Sequence, residues 1–249
     1  MHQVVLVSSE MIQAGDIDGA ERALVAVADQ AGDHALVAVL DEMLPRDLLA
    51  IMREFDSSKE SVVNMLVTPE QFARAIVLEK KYGDRKGERL RAMMNTVVHR
   101  EAEGAVEYLE TMADLEGGCS TLADYFEDRY EELFGFATSG VFSPSFNSEI
   151  GTQASNTWLM EKIEELDHGL SLGNSMEKSR PVLSRYEIAD GDWMETAWLL
   201  RYELPDAFEE VLIILRDRIQ KLLEQANELA AAEAFDLAGA LDDEEDSAI

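Results

Sequence analysis

The sequence predicts an all-α fold, an irregular helical superhelix or bundle, on three observations. Leu, Ala, Glu and Met, which favour helices, are plentiful, and the chain has only five prolines. Apolar residues recur at helical spacing through most of the chain. Residues typical of helix starts and helix ends separate these stretches. No repeat of about 20–50 residues is present, so the sequence does not predict a regular repeat array.

Four segments are predicted along the 249 residues. Residues 1–134 are expected to form a helical superhelix domain. Residues 135–157, rich in Ser and Gly, are expected to form a loop or linker. Residues 158–233 are expected to form a smaller helical C-terminal region. Residues 234–249 are expected to be an acidic, disordered tail, because a run of like charges repels itself.

In the first segment the pattern indicates short helices joined by tight turns. One begins at Asp16, and another begins at Pro45, a residue suited to a first helical turn. The clearest start is the run Thr68-Pro69-Glu70-Gln71. Here Thr68 is expected to cap the helix, and the side chain of Gln71 is expected to reach back to the cap.

The pattern then predicts one longer helix from about residue 88 to residue 115, ended by Gly117-Gly118. Ser120 or Thr121 is expected to cap the helix that follows. Cys119 lies at this predicted start, and its thiol has two interpretations. A helix N-terminus lowers a thiol pKa, whereas a small buried residue that fills a turn is inert. Pro205 is expected to start the last long helix.

The formal net charge is −30, from 51 acidic and 21 basic residues. Such a chain repels nucleic acid and anionic membranes, so a basic protein is the expected partner. Solubility or a salty habitat explains the same charge without a partner. A single cysteine excludes a disulfide within the chain and a cysteine-based zinc site. Neither a signal peptide nor a membrane span is expected, and a cytoplasmic location is predicted.

The first candidate partner-binding residues are three phenylalanines of the predicted loop: Phe136, Phe142 and Phe146. The others are Met93 and Met94 on the predicted long helix. Aromatic residues and methionine suit adaptable interfaces. The alternative for the loop is a linker whose phenylalanines are buried anchors.

The candidate metal ligands are Glu165 and His168, whose spacing places both side chains on one helical face. A second Glu-x-x-His motif, which a carboxylate-bridged di-metal site requires, is missing. His99 and Glu103 are interpreted as a surface salt bridge. No phosphate-binding loop, zinc-protease motif or nucleophile elbow is present, so no cofactor and no catalytic residue are predicted. Whether the chain is an enzyme stays open.

One cluster of residues is basic within this otherwise acidic chain. Six basic residues fall within 12 positions: Lys80, Lys81, Arg85, Lys86, Arg89 and Arg91. An acidic partner or the acidic surface of the protein itself can neutralise this cluster. The second interpretation is the simpler one.

A resemblance is carried by the run Leu40-Asp41-Glu42-Met43-Leu44-Pro45-Arg46-Asp47-Leu48-Leu49-Ala50-Ile51-Met52 and by Thr68-Pro69-Glu70-Gln71-Phe72-Ala73. Residues 36–82 resemble the helical superhelix that precedes the regulatory domains of MgtE-type magnesium transporters, and the related FliG-type arrays. The membrane helices of the transporter have no counterpart in this sequence. The resemblance implies an acidic helical module that docks on another protein, and it implies no transport.

Together these observations favour a non-enzymatic adaptor, chaperone-like or assembly protein that acts on a basic protein partner. One alternative is a metal-binding protein or an enzyme with a carboxylate and histidine site. Another is an accessory component of a phage, plasmid or secretion apparatus. The oligomeric state is not predicted.

Overall fold

A computed structural model of the chain describes residues 2–55, 61–82, 87–100, 104–140 and 193–246, with residue 142 and most of 157–164. All regular structure in these ranges is helical, so the predicted all-α fold is confirmed. Its α-helices are α1 His2–Gln13, α2 Ile17–Ala31, α3 Asp33–Glu42, α4 Pro45–Glu54, α5 Val62–Leu66, α6 Pro69–Tyr82, α7 Gly87–Val97, α8 Ala105–Asp114, α9 Gly118–Tyr125, α10 Tyr130–Ser139, α11 Trp193–Glu203 and α12 Pro205–Asp246. Short 3₁₀ turns are formed by Val98–Arg100 and Glu127–Arg129.

These helices belong to two compact units. The first unit contains α1 to α9, α11 and the first two turns of α12. In it, α1, α2 and α3 pack in sequence, and α6 packs on both α4 and α8. The second unit contains α10 and the remainder of α12.

Two of the predicted helix starts are confirmed by their capping hydrogen bonds. The Asp16 carboxylate accepts a hydrogen bond from the backbone N–H of Gly19 at 2.9 Å and caps α2. At the start of α6, the backbone N–H of Thr68 donates to Oε1 of Gln71 at 3.0 Å. The backbone N–H of Gln71 donates to Oγ1 of Thr68 at 3.4 Å, which completes a capping box.

Helix α1 has no counterpart among the predicted elements, which begin at Asp16. Its apolar residues Leu6 and Val7 are exposed, whereas Ser8 is fully buried. The hydroxyl of Ser9 donates to Oδ2 of Asp47 at 2.6 Å and ties α1 to α4. Packing and this hydrogen bond hold a helix whose own pattern is poorly amphipathic.

The prediction of one long helix over residues 88–115 is wrong. Helix α7 ends at Val97, and α8 begins at Ala105. In the 3₁₀ turn between them, a ring nitrogen of His99 lies 2.7 Å from Oγ1 of Thr196 on α11. Arg100 donates to the backbone oxygen of Asn64 at 2.6 Å. These tertiary contacts stabilise a break in the helix that the apolar periodicity of the sequence does not predict.

The predicted caps Ser120 and Thr121 are also wrong, because α9 begins earlier, at Gly118, behind Gly117. Gly117 has φ +87°, in the left-handed region that favours glycine. A Cβ atom on Gly118 would lie 1.6 Å from the backbone oxygen of Met112. The close approach of two backbone segments therefore sets this helix start.

Two predicted boundaries differ from the structure. Residues 135–139, assigned to the loop, are the end of α10. The backbone of α12 stays helical to Asp246, past the expected start of the acidic tail at residue 234. Alanine and leucine dominate residues 229–241, and both favour helix.

A buried carboxylate links α2 to α5 in the first unit. Glu21 is 6% exposed, and its Oε1 accepts hydrogen bonds from the Ser61 hydroxyl at 2.8 Å and the Val62 backbone N–H at 3.0 Å. Burial raises the pKa of Glu21, and the hydrogen bonds from Ser61 and the backbone partly oppose this shift. Glu21 thus caps a helix that is distant in sequence.

Candidate functional site

An open cleft of about 240 Å³ lies in the first unit, between the end of α3, the start of α4 and the first turns of α6. We call it the Asp41 cleft. Its lining residues are Leu40, Asp41, Met43, Pro45, Leu48, Thr68, Glu70, Gln71 and Arg74. All nine come from the first unit, so its packing alone forms the cleft.

Three buried apolar side chains, Leu40, Met43 and Leu48, form the floor of the Asp41 cleft. Helix α3 ends at Glu42, and Met43 and Leu44 continue as extended backbone to Pro45. Pro45 then fixes the first turn of α4. In this two-residue connection Leu44, which lies between the lining residues Met43 and Pro45 in the sequence, is 51% exposed.

Two exposed carboxylates, Asp41 and Glu70, line the cleft above this floor. The buried side chain of Gln71 holds Asp41 in place, because its Nε2 donates to Oδ1 of Asp41 at 2.5 Å. Arg74 follows Glu70 by one helical turn on α6 and is also exposed. The cleft therefore combines an apolar floor with two negative groups and one positive group.

The size of the Asp41 cleft indicates which kind of group it can receive. Sites for small molecules and cofactors usually enclose about 300–1,000 Å³. At about 240 Å³ and open to solvent, the cleft suits an inserted side chain better than a whole ligand. The available chemistry is apolar contact and ion pairing.

The methionines predicted to bind a partner lie in the core. Met93 and Met94 are 2% and 0% exposed on α7. In this conformation both side chains pack in the core. Their role as contact residues stays a prediction.

The predicted phenylalanine cluster is described in part. Phe136 is buried on α10, and its ring stacks on Phe142 with centroids 4.1 Å apart and planes 9° from parallel. Phe146 lies outside the described residues. Stacking on a buried ring agrees with the interpretation of these phenylalanines as anchors of the loop.

The predicted metal ligands Glu165 and His168 lie outside the described residues, as does Glu103. Within the part of the chain that the structure describes, no group of three or more His, Cys, Asp or Glu is arranged to hold a metal ion. His99 contacts Thr196, and this contact links the 3₁₀ turn to α11.

Cys119 matches the interpretation as a small buried residue rather than as a reactive thiol. It is buried, and its sulfur lies 3.8 Å from the backbone oxygen of Ala113. Burial, together with the nearby carboxylate of Glu210, raises the pKa of the thiol to about 11. Burial and the raised pKa both favour the neutral thiol, as expected for a buried core cysteine.

The basic cluster of residues 80–91 is neutralised by the chain at one described position. Arg91 donates to Oδ2 of Asp128 at 2.5 Å. For Arg91, this contact agrees with neutralisation by the acidic surface of the protein itself. The side chains of the other five residues lie outside the described part of the chain.

The described helices include none with the length and apolar character needed to cross a bilayer. Comparisons with models of known families, with curated proteins and with solved structures found no match to this chain. The resemblance of residues 36–82 to the MgtE and FliG superhelices therefore stays a prediction.

Sequence reasoning did not single out the Asp41 cleft. Its nine lining residues all fall within residues 36–82, the stretch that carries that resemblance. One signal was readable: the capping box places Gln71 at the start of α6. The contact of Gln71 with Asp41, 30 residues earlier in the chain, was not readable, because it depends on how α3 meets α6.

Proposed function

We propose that this chain is a non-enzymatic interaction protein, an adaptor or assembly factor, that binds a basic protein partner through the Asp41 cleft. The observation that carries the proposal is an open cleft that is lined by buried apolar side chains and by the exposed carboxylates of Asp41 and Glu70. An apolar patch with a polar rim is typical of a protein interaction site, and Leu44, which is 51% exposed and lies between two lining residues in the sequence, adds apolar surface.

The charge of the whole chain supports a basic partner. A net charge of −30 produces a negative field that steers cations toward the surface and repels acidic proteins. The negative field attracts a basic partner but does not hold it at one position. The cleft provides the local contact that does. Steering sets the association rate, whereas apolar burial in the cleft sets the lifetime of the complex.

The proposal is tested by affinity capture from the native host at moderate salt, with the full chain and two variants as baits. Glu70→Lys reverses an exposed charge at the cleft, and Glu110→Lys makes the same change on α8, outside the cleft lining. A stoichiometric basic protein retained by the chain and by Glu110→Lys, and lost with Glu70→Lys, is the expected result. Capture of no stoichiometric protein, or of an acidic one, contradicts the proposal.

A further inference from the structure

The arrangement of charges along α6 points to more than a general preference for basic proteins. Glu70 and Arg74 are four positions apart in the sequence, so they lie one turn apart on the same helical face. Asp41 lies on α3 and is held by Gln71, the neighbour of Glu70 in the sequence. The two carboxylates therefore belong to the end of the cleft where α6 begins, and the guanidinium belongs to the next turn.

This order matters because a uniformly basic segment gains at Asp41 and Glu70 but is repelled at Arg74. Gln71 occupies Oδ1 of Asp41, which leaves Oδ2 to accept a hydrogen bond from a partner cation. A segment with its cation at the carboxylates and a neutral or acidic residue at Arg74 meets no repulsion. Discrimination of this kind combines one attractive and one repulsive element.

The floor sets the remaining requirement. The side chains of Leu40, Met43 and Leu48 are buried and contribute only apolar atoms to the lining of the cleft, whose volume of about 240 Å³ leaves room for one apolar side chain. A helix delivers such a side chain and a charge on one face when the two are three or four residues apart. A partner helix can therefore carry the apolar side chain and the neighbouring charge on the same face.

We propose that the occupant of the Asp41 cleft is an amphipathic helical segment of another protein with a defined charge order. It inserts one apolar side chain on the floor, places a Lys or Arg at Asp41 and Glu70, and places a neutral or acidic residue at Arg74. Arg74 is then the residue that rejects polybasic segments. This inference rests on the proposed function and specifies the partner surface that it requires.

The test is selection of displayed random 14-residue peptides on the full chain, followed by affinity measurements with the selected peptides. Enrichment of an apolar residue three or four positions from a Lys or Arg is expected. Glu70→Lys should weaken these peptides at least tenfold, and Glu110→Lys should change their affinity less than twofold. Arg74→Ala should strengthen binding of a peptide in which every charged residue is Lys by about threefold or more.

The outcomes separate the two proposals. If the selected peptides are basic but bind equally well to the Glu70→Lys variant, the chain binds basic partners at a site other than the cleft. If Glu70→Lys weakens the selected peptides but Arg74→Ala does not change the affinity of the all-Lys peptide, only the proposed charge order is overturned. Selection of acidic peptides, or of none above background, overturns both proposals.

Discussion

The side-chain amide of Gln71 joins α3 to α6: its Nε2 donates to Oδ1 of Asp41 at 2.5 Å, and its Oε1 accepts from the backbone N–H of Thr68 at 3.0 Å. One buried side chain therefore caps a helix and fixes a carboxylate of the cleft. A glutamate also completes a capping box, but it has no donor for Asp41. The two roles of Gln71 can be separated on that basis.

Gln71→Glu should lower the free energy of unfolding by about 2 kcal/mol, because it sets two carboxylates against each other and removes a hydrogen bond. Asp41→Asn restores a donor facing the glutamate. The double substitution should therefore recover at least half of the loss, and Asp41→Asn alone should cost under about 0.5 kcal/mol. Urea unfolding of the four proteins measures the coupling, and additive effects would contradict the contact.

Gly118→Ala should destabilise the first unit by about 3 kcal/mol, since the added Cβ would lie 1.6 Å from the backbone oxygen of Met112. Gly104→Ala is the matched control. No atom lies within 4 Å of a Cβ there, and φ is −93°. The control should change stability by less than about 0.5 kcal/mol. Equal thermal unfolding of the two variants would contradict the close approach at Gly118.

Glu21 should make stability fall as pH rises. Its pKa is raised above the ordinary value of 4.5 in the folded state, so the folded protein binds the proton more tightly than the unfolded chain. Stability from this group is therefore greatest below pH 4.5 and is lost as pH rises through the raised pKa. Glu21→Gln keeps the Oε1 acceptor for Ser61 and Val62 and removes the charge.

The measurement is urea unfolding of the wild type and of Glu21→Gln from pH 4 to pH 8. Every other carboxylate is shared, so the difference between the two proteins isolates Glu21. The wild type should gain stability relative to the variant as pH falls. A gain as pH rises would mean that the charged carboxylate is favoured at the start of α5, contrary to the raised pKa.

Cys119 should resist alkylation while the protein is folded. A thiol pKa of about 11 in place of 9.0 lowers the thiolate fraction at pH 8 by roughly 100-fold, and burial lowers access further. Iodoacetamide labelling followed by mass spectrometry should be at least 100-fold slower in buffer than in 8 M urea. Labelling at equal rates in the two conditions would show an exposed, activated thiol.

Local patterns predicted much of the fold. Asp16, Pro45 and the Thr68–Gln71 capping box mark helix starts that the structure confirms, because caps act within three or four residues. The break between α7 and α8 was missed, since it depends on contacts of His99 and Arg100 with residues far away in the sequence. The start of α9 was misplaced for the same reason, because the backbone of Met112 decides it.

The candidate site was not predictable to the same degree. Periodicity marked Met93 and Met94 as apolar, but it does not distinguish a core face from a binding face. Asp41 and Glu70 are two of 51 acidic residues, and no sequence feature sets them apart. Only the packing of α3, α4 and α6 brings them to one apolar floor.

The most direct test of the central claim places a photo-reactive amino acid at Leu44, which is exposed and lies between two lining residues of the Asp41 cleft in the sequence, in the chain expressed in its native host. Irradiation should cross-link one partner through a segment that carries apolar and basic residues, and adding Glu70→Lys should abolish the adduct while Glu110→Lys should preserve it. An adduct that persists with Glu70→Lys, or one formed on an acidic segment, would contradict binding of a basic partner in this cleft.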